Sequence, residues 1–371
     1  MGYVAIRGGE QAIREAASAL EFLRTRGGGD PIGLPQIEHQ LGALHSRVLS
    51  EGGLYDVELA SLAIKQAAGD PLEAAYLMRA WRSTRPRLDI PASANTRSMR
   101  ILRRISAAFK DIPGGQILGP TRDYSLRLFR FELMDEDPKL FREIAARLAP
   151  KSGPRDGAGP DTFPKVLESL RSAGLIPSRN LAAADAAFDI TREPLTLPAP
   201  RSAALAAMSR AETGSLLALA YSNMRGYGDI HPTVAELRVG YLPVRIPHPV
   251  TGRLVEAGEA LITECEVVAM YERDAREETP RFTLGYGACF GHNEVKAISM
   301  AILDRALQNG AKYGAANPSE DQEFVLLHID GIESMGFCTH YKMPHYVTFA
   351  SDIDRLRATQ ERQKARQHAK S

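Results

Sequence analysis

The sequence predicts a mixed α+β fold, with a helical amino-terminal region followed by a mixed α/β carboxy-terminal region. Three patterns carry this reading: apolar residues at helical spacing through most of residues 10–110, β-former-rich runs at 234–246 and 260–271, and an amphipathic helix soon after the second run. In chain order, residues 3–7 read as a short strand. Beyond Gly8-Gly9, the recurrence of Ile13, Ala16, Ala17, Leu20 and Leu23 makes one helix face, and a Gly-rich turn at 27–29 ends it. A second helix puts Ile37, Leu41, Leu44 and Val48 on one face and stops at Gly52-Gly53. A third covers 56–68 and stops at Gly69. The fourth has clear start signals: Asp70 as N-cap, Pro71 at the first helical position and Glu73 at the third. A turn at 111–115 precedes a strand-like run at 124–133 that carries Arg127 and Arg130.

Gly, Pro, Ser and Asp dominate 150–164, and a Pro-rich stretch covers 191–200, so both read as linkers. The expected division is a helical domain at 1–133, a linker-rich segment at 134–200 and an α+β domain at 201–371. Within the last, an Ala-rich helix is expected at 203–222. A Gly-rich segment at 285–291 leads to Asn293, which caps a helix with Ala297, Ile298, Ala301, Ile302 and Leu307 on one face. A strand at 324–329, a short capped helical turn at 330–335 and a polar last helix close the chain.

Composition narrows the function classes. The 371 residues carry 46 Lys and Arg against 45 Asp and Glu, a formal net charge of +1. That balance argues against a whole-protein electrostatic grip on nucleic acid or an anionic membrane. The three cysteines, Cys265, Cys289 and Cys338, leave an odd thiol if two pair, and the amino terminus has no apolar leader pattern. A reducing, cytoplasmic setting is expected. Apolar runs fall far short of the roughly 18 residues that suggest a membrane span. One local charge block stands out: residues 79–110 carry Arg79, Arg82, Arg85, Arg87, Arg97, Arg100, Arg103, Arg104 and Lys110 against Asp89 alone. It reads as a stripe for phosphates or an acidic partner, or as a solvated face balanced from elsewhere.

Several constellations could carry chemistry, although a P-loop, a radical iron-sulfur cysteine cluster, a nucleophile elbow and a zinc-protease helix are all missing. His340 and His345 flank Lys342-Met343-Pro344. On one helix they would point about 140° apart, but Pro344 forces a turned or extended backbone that can bring both imidazoles to one ion. Two histidines would be a half-site, its vacant positions open to Cys338, solvent or another chain; otherwise both are ordinary hydrogen-bonded residues. Gly285, Gly287 and Gly291, with Lys296 in the first turn of the next helix, match a phosphate cradle or simply a tight turn. Arg225, in the Gly-Tyr-Gly segment that ends near His231, suits an anionic ligand or a solvent-facing turn. Glu264 and Glu266 flank Cys265, so on a strand both carboxylates leave one face. They are a pair for proton transfer or for stabilising a cation, or the wet face of a half-buried strand.

Several blocks in a fixed order carry a family resemblance. They are Lys110-Asp111-Ile112-Pro113-Gly114-Gly115-Gln116, Leu118-Gly119-Pro120-Thr121, Arg225-Gly226-Tyr227-Gly228, Thr263-Glu264-Cys265-Glu266, Glu323-Phe324-Val325-Leu326 and Pro344-His345-Tyr346-Val347. Together with the opening Gly-Tyr-Val-Ala-Ile-Arg-Gly-Gly-Glu, the chain resembles the PhnI family, a subunit of the bacterial carbon-phosphorus lyase core complex. The resemblance implies a transferase subunit of phosphonate catabolism, in which a phosphonate displaces adenine from ATP to give a ribose 1-phosphonate 5-triphosphate. It also implies purine nucleosidase activity for the subunit alone, partners of the PhnG, PhnH, PhnJ, PhnK and PhnL types, and zinc shared with the radical lyase subunit through His340 and His345. Glu264 and Glu266 become the candidate catalytic pair, and Arg225, Gly285, Gly287 and Lys296 the candidate substrate-binding set. A scaffold that completes a neighbour's metal site is the alternative from another class.

Overall fold

A computed structural model describes residues 9–87, 89–149, 162–177, 187–227, 231–271 and 280–369. The expected strand at 3–7 and most of the 150–164 linker lie outside these residues. The amino-terminal region is helical, as its periodicity predicts: α1 (Gly9–Thr25), α2 (Leu34–Gln40), α3 (Gly42–Gly52), α4 (Val57–Gln66) and α5 (Pro71–Ser83). Asp56 Oδ1 accepts from Leu59 N at 2.9 Å and Asp70 Oδ1 from Glu73 N at 2.8 Å, so both predicted starts are true N-caps. The helix expected across Ile37 to Val48 is two helices, broken where Leu41 leaves helical geometry at φ −108° and ψ 31°. Ile37, Val48, Leu49, Ala60, Ile64 and Met78 form a core of their own between α2, α3, α4 and α5.

β1 (Arg100–Ile105) is the first departure from a helical reading of residues 10–110. It pairs antiparallel with a strand far along the chain, and such non-local pairing leaves no local periodicity signal. Beyond it, residues 122–149 are exposed without interruption and include α6 (Pro138–Leu148). The run at 124–133 is therefore not a strand: it pairs with no neighbour among the described residues, and Tyr124, Leu126 and Phe129 stand 82%, 86% and 89% exposed. After α7 (Val166–Ser172), the stretch at 191–200 packs rather than links, since Leu195 and Ala199 join the main core and Ala199 exchanges hydrogen bonds with the Gln322 side chain.

The Ala-rich helix is also two, α8 (Arg201–Arg210) and α9 (Thr213–Ser222). Ala211 is extended, and the Glu212 carboxylate caps α9 by accepting from Gly214 N and Ser215 N. β2 (Thr233–Pro247), β3 (Leu254–Tyr271) and β4 (Phe282–Phe290) complete an antiparallel sheet in the order β1-β2-β3-β4. Against one face lies α10 (Glu294–Tyr313); Leu237, Cys265 and Val267 meet Met300 and Leu303 there, in the main core. The run at 324–329 is helix α11 (Gln322–His328), not a strand. Asp321 caps it by accepting from Phe324 N, and a short apolar run does not by itself tell helix from strand. The expected helical turn at 330–335 grows into α12 (Gly331–Tyr341), and the last helix, α13 (Tyr346–His368), is largely exposed. No helix among the described residues is long and apolar enough to cross a membrane.

A carboxylate cluster on the sheet and an exposed histidine pair

Alternation along β3 places Glu264 and Glu266 on the sheet face away from α10, with Cys265 buried on the other. This is the one-face arrangement the spacing predicts, but the face is not wet. α7 and the chain before it cover it, and Glu264 keeps only 2% of its surface. Thr96 Oγ1 donates to Glu264 Oε1 at 2.8 Å, and Tyr286 O–H donates to the same oxygen at 3.0 Å. Lys165 forms an ion pair with Glu264 and lies 3.5 Å from Glu266 Oε1. Burial pushes the Glu266 carboxyl up, Lys165 opposes this, and the charge of Glu264 adds to it. Burial and Glu264 together hold the Tyr286 phenol well above its ordinary range. The neighbouring thiols, Cys265 and Cys289, are raised by burial, Cys289 to about 11, and so remain protonated packing groups.

Beside this cluster lies a buried ion network that composition alone does not reveal. Arg104 Nε and Arg238 Nη2 meet Glu236 Oε1 at 2.6 and 2.9 Å, all three side chains at most 1% exposed. Arg104 also donates to the carbonyls of Pro113, Gly115 and Pro164, which fastens two backbone segments, the 111–115 turn and the chain before α7, to the sheet. The stripe at 79–110 therefore dissolves into separate pairs: Arg79 with Asp330, Arg87 with Asp189, Arg97 with Glu168, Arg100 with Glu259 and Arg103 with Glu294. Counter-charge from distant parts of the chain thus meets six of the nine cations, Arg104 with Glu236 included, whereas Arg82 donates to Gly53 O and Arg85 lies over the Trp81 ring.

The candidate substrate set is not brought together. Gly285 and Gly287 sit inside β4, facing α10, where an added Cβ would lie 1.9 Å from Ala301 O and 2.2 Å from Ala297 O. They permit close helix–sheet packing and do not cradle a phosphate. Asn293 occupies the N-cap position of α10, yet its side chain donates to Ser46 O and Phe290 O rather than capping the helix. Lys296, although in the first turn, points inward: it is fully buried and its Nζ donates to Ser50 Oγ at 2.7 Å. Arg225 is exposed, its guanidinium donating to the Tyr221 hydroxyl at 2.8 Å. Sequence reasoning missed Lys165, Thr96 and Tyr286. A signal existed for Tyr286, because period-2 alternation between Gly285 and Gly287 turns it toward the glutamates.

Burial lowers the Lys296 ammonium to about 8, with Cys289 and Glu51 opposing the drop. A base whose folded-state value lies below its free value leaves the unfolded chain holding more protons, so stability rises with pH between about 8 and the free value of 10.5. Urea unfolding at pH 7 and pH 10 is expected to show this gain, on the order of 3 kcal/mol. In Lys296→Met the gain should disappear; an unchanged pH slope in that variant would disprove the assignment.

At the other end of the chain, His340 closes α12 and His345 is the N-cap residue of α13, with the Pro344 turn between them. The two Nε2 atoms stand 3.2 Å apart and the rings meet edge to face at 87°. Met343 O lies 2.6 Å from His345 Nδ1. A carbonyl only accepts, so neutral His345 carries its proton on Nδ1 and turns the Nε2 lone pair toward His340. Two nitrogens on one tetrahedral zinc would stand about 3.3 Å apart. The pair thus fits two adjacent zinc positions, and no group of three or more metal-ligating side chains forms among the described residues.

The sheet-borne carboxylate cluster, helical amino-terminal region and outlying histidine pair define a mixed α+β protein with two exposed imidazoles held side by side. The chain belongs to the PhnI family, described as bacterial phosphonate metabolism proteins, whose profile matches residues 2–363. It is 45% identical over 365 residues to the PhnI subunit of alpha-D-ribose 1-methylphosphonate 5-triphosphate synthase from Escherichia coli K12, covering 97% of this chain and 99% of the relative. The same-named subunit of Rhizobium meliloti 1021 is 40% identical over 363 residues, 96% of this chain and 94% of its own. HtxH of Stutzerimonas stutzeri, whose name assigns it provisionally to the C-P lyase subunits, is 65% identical over 365 residues, 98% and 97% of the two chains.

Proposed function

We propose that this chain is the subunit of a cytoplasmic carbon-phosphorus lyase assembly at which a phosphonate displaces adenine from ATP. What carries the reading is likeness along nearly the entire length to two subunits named for ribose 1-methylphosphonate 5-triphosphate synthesis. In that reaction a phosphonate oxygen bonds to the anomeric carbon, the carbon–nitrogen bond to the base breaks, and the base leaves with the electron pair and takes up a proton. The ribose passes through a cation-like state that a nearby carboxylate stabilises. Glu264 is the residue assigned that role, paired with Lys165 and accepting from Thr96 and Tyr286, and Glu266, with its raised affinity for a proton, serves the base.

Zinc is proposed at His340 and His345, where it would supply Lewis-acid chemistry with the remaining ligands from the radical lyase subunit. PhnG, PhnH, PhnJ, PhnK and PhnL types are the proposed partners. One observation favours a scaffold role as the second reading: both carboxylates are already engaged by Lys165 beneath α7.

Adenine release from ATP and methylphosphonate, assayed with the chain alone and with its partner subunits, separates the readings. Release only by the assembly, lost in Glu264→Gln, is the expected result. Strong release by the chain alone would replace the proposal with a nucleosidase, and none in either setting would leave a scaffold. In parallel, His340→Ala with His345→Ala should deplete zinc from the assembly while the chain stays folded, since two exposed ligands hold little folding energy. Unchanged zinc in that variant removes the metal assignment.

A further inference from the structure

We propose that the cavity between α2, the end of α4 and the glycine turn after α1 is a binding site for a small aliphatic zwitterion, a ligand that joins an ammonium and an anionic head to a short carbon chain. The cavity measures about 400 Å³, within the usual range for small-ligand sites. Its floor is apolar. Ile37 and Ile64, each 2% exposed, belong to the amino-terminal core, whereas Ile32 and Leu41 stand 49% and 41% exposed beside them. Two aliphatic side chains left open to water at the mouth of a cavity are what a short carbon chain would cover. The sequence builds the opposite wall with a turn: Gly28 and Gly29, at φ 67° and 85°, reverse the chain and bring Asp30 and Ile32 to the same cavity as α4.

The charged groups on the walls select the head of the ligand. Lys65 and Asp30 both line the cavity, and neither side chain forms a hydrogen bond or ion pair among the described residues, not even with the other. Arg24, the third charged residue there, is already met by Glu21 at 2.7 Å. The walls thus hold one uncommitted cation and one uncommitted anion. A singly charged ligand would satisfy one and take water from the other without replacing it, whereas a ligand with both signs satisfies both. α1 also ends on this wall, at Thr25, and the partial negative charge of a helix carboxy end favours an ammonium there. Free aliphatic amino acids and their aminophosphonic counterparts share this chemistry. The function proposed above suggests the aminophosphonic source, but the need for two opposite charges does not rest on it, and the cavity uses no residue of the carboxylate cluster or the histidine pair.

Ligand-observed NMR titration of the full chain tests the site with L-leucine, the phosphonic acid analogue of leucine, isocaproate, which lacks the ammonium, and isopentylamine, which lacks the anion. At least one zwitterion should bind at least about tenfold tighter than either singly charged analogue, and the tighter of the two names the source of the ligand. Lys65→Met should weaken that zwitterion about tenfold and leave isopentylamine unchanged, while Asp30→Asn should weaken it similarly and leave isocaproate unchanged. Arg355→Glu on α13 is the control and should change nothing. No binding of either zwitterion, or equal affinity for the singly charged analogues, would overturn the proposal. Zwitterion affinities within twofold of the unaltered chain in both cavity variants, each folded by circular dichroism, would do the same. Because the titration reads binding and not adenine release, intact zwitterion binding by the chain of an inactive assembly would count against the proposed reaction and leave the cavity standing.

Discussion

Alanine at Gly285 is expected to cost at least about 3 kcal/mol of stability, and alanine at Gly287 a comparable amount. The obstructing atoms decide the size of the effect. At Gly285 a Cβ meets the Ala301 carbonyl at 1.9 Å and Val267 Cγ2 at 2.9 Å; at Gly287 it meets the Ala297 carbonyl at 2.2 Å and Met300 Cβ at 2.8 Å. Both carbonyls belong to the helix backbone, so relief requires moving α10 off the sheet as a body. That would open the core at Met300, Ala301 and Leu303, each fully buried. Urea unfolding monitored by circular dichroism should show both midpoints falling steeply. Had these glycines formed a phosphate cradle, alanine would weaken ligand binding in a stable protein. Midpoints within about 0.5 kcal/mol of the unaltered chain would restore that view.

The second large effect concerns Glu236. Glu236→Gln keeps the volume but removes the anion between Arg104 and Arg238, two guanidinium groups at most 1% exposed. A buried charge stripped of its partner costs about 3–5 kcal/mol, and two cations here share one carboxylate. The loss should reach well beyond the sheet, because Arg104 also holds the carbonyls of Pro113, Gly115 and Pro164. Replacing all three, as Arg104→Met, Glu236→Leu and Arg238→Met, should recover only part of the loss, because apolar packing replaces the charges but leaves the carbonyls of Pro113, Gly115 and Pro164 without the Arg104 donor. A single variant that unfolds within about 1 kcal/mol of the unaltered chain would show that solvent compensates these charges.

Local signals were legible and non-local ones were not. Asp70, Pro71 and Glu73 announced α5 because a cap is written within four residues, and Glu264 and Glu266 shared a face because strand alternation is local as well. The turn at Pro344 allowed the meeting of His340 and His345, which the structure bears out at 3.2 Å. β1 was hidden because its partner lies more than a hundred residues away, at Leu237 to Tyr241. The run at 324–329 carried apolar character without a period, so length and caps decided for helix. Lys296 misled for a different reason. A lysine in a first turn reads as solvent-facing, and only the packing of α3 on β4 and α10 reveals that its ammonium ends on Ser50. Lys165 joined the glutamates across about a hundred residues of chain, which no spacing rule anticipates.

The bare stretch from Tyr124 to Leu148 has a cellular corollary. Phe129, Phe131, Met134 and Leu148 stand in water with nothing over them among the described residues, a surface that chaperones and proteases bind. A copy left with that surface open to water is exposed to such triage.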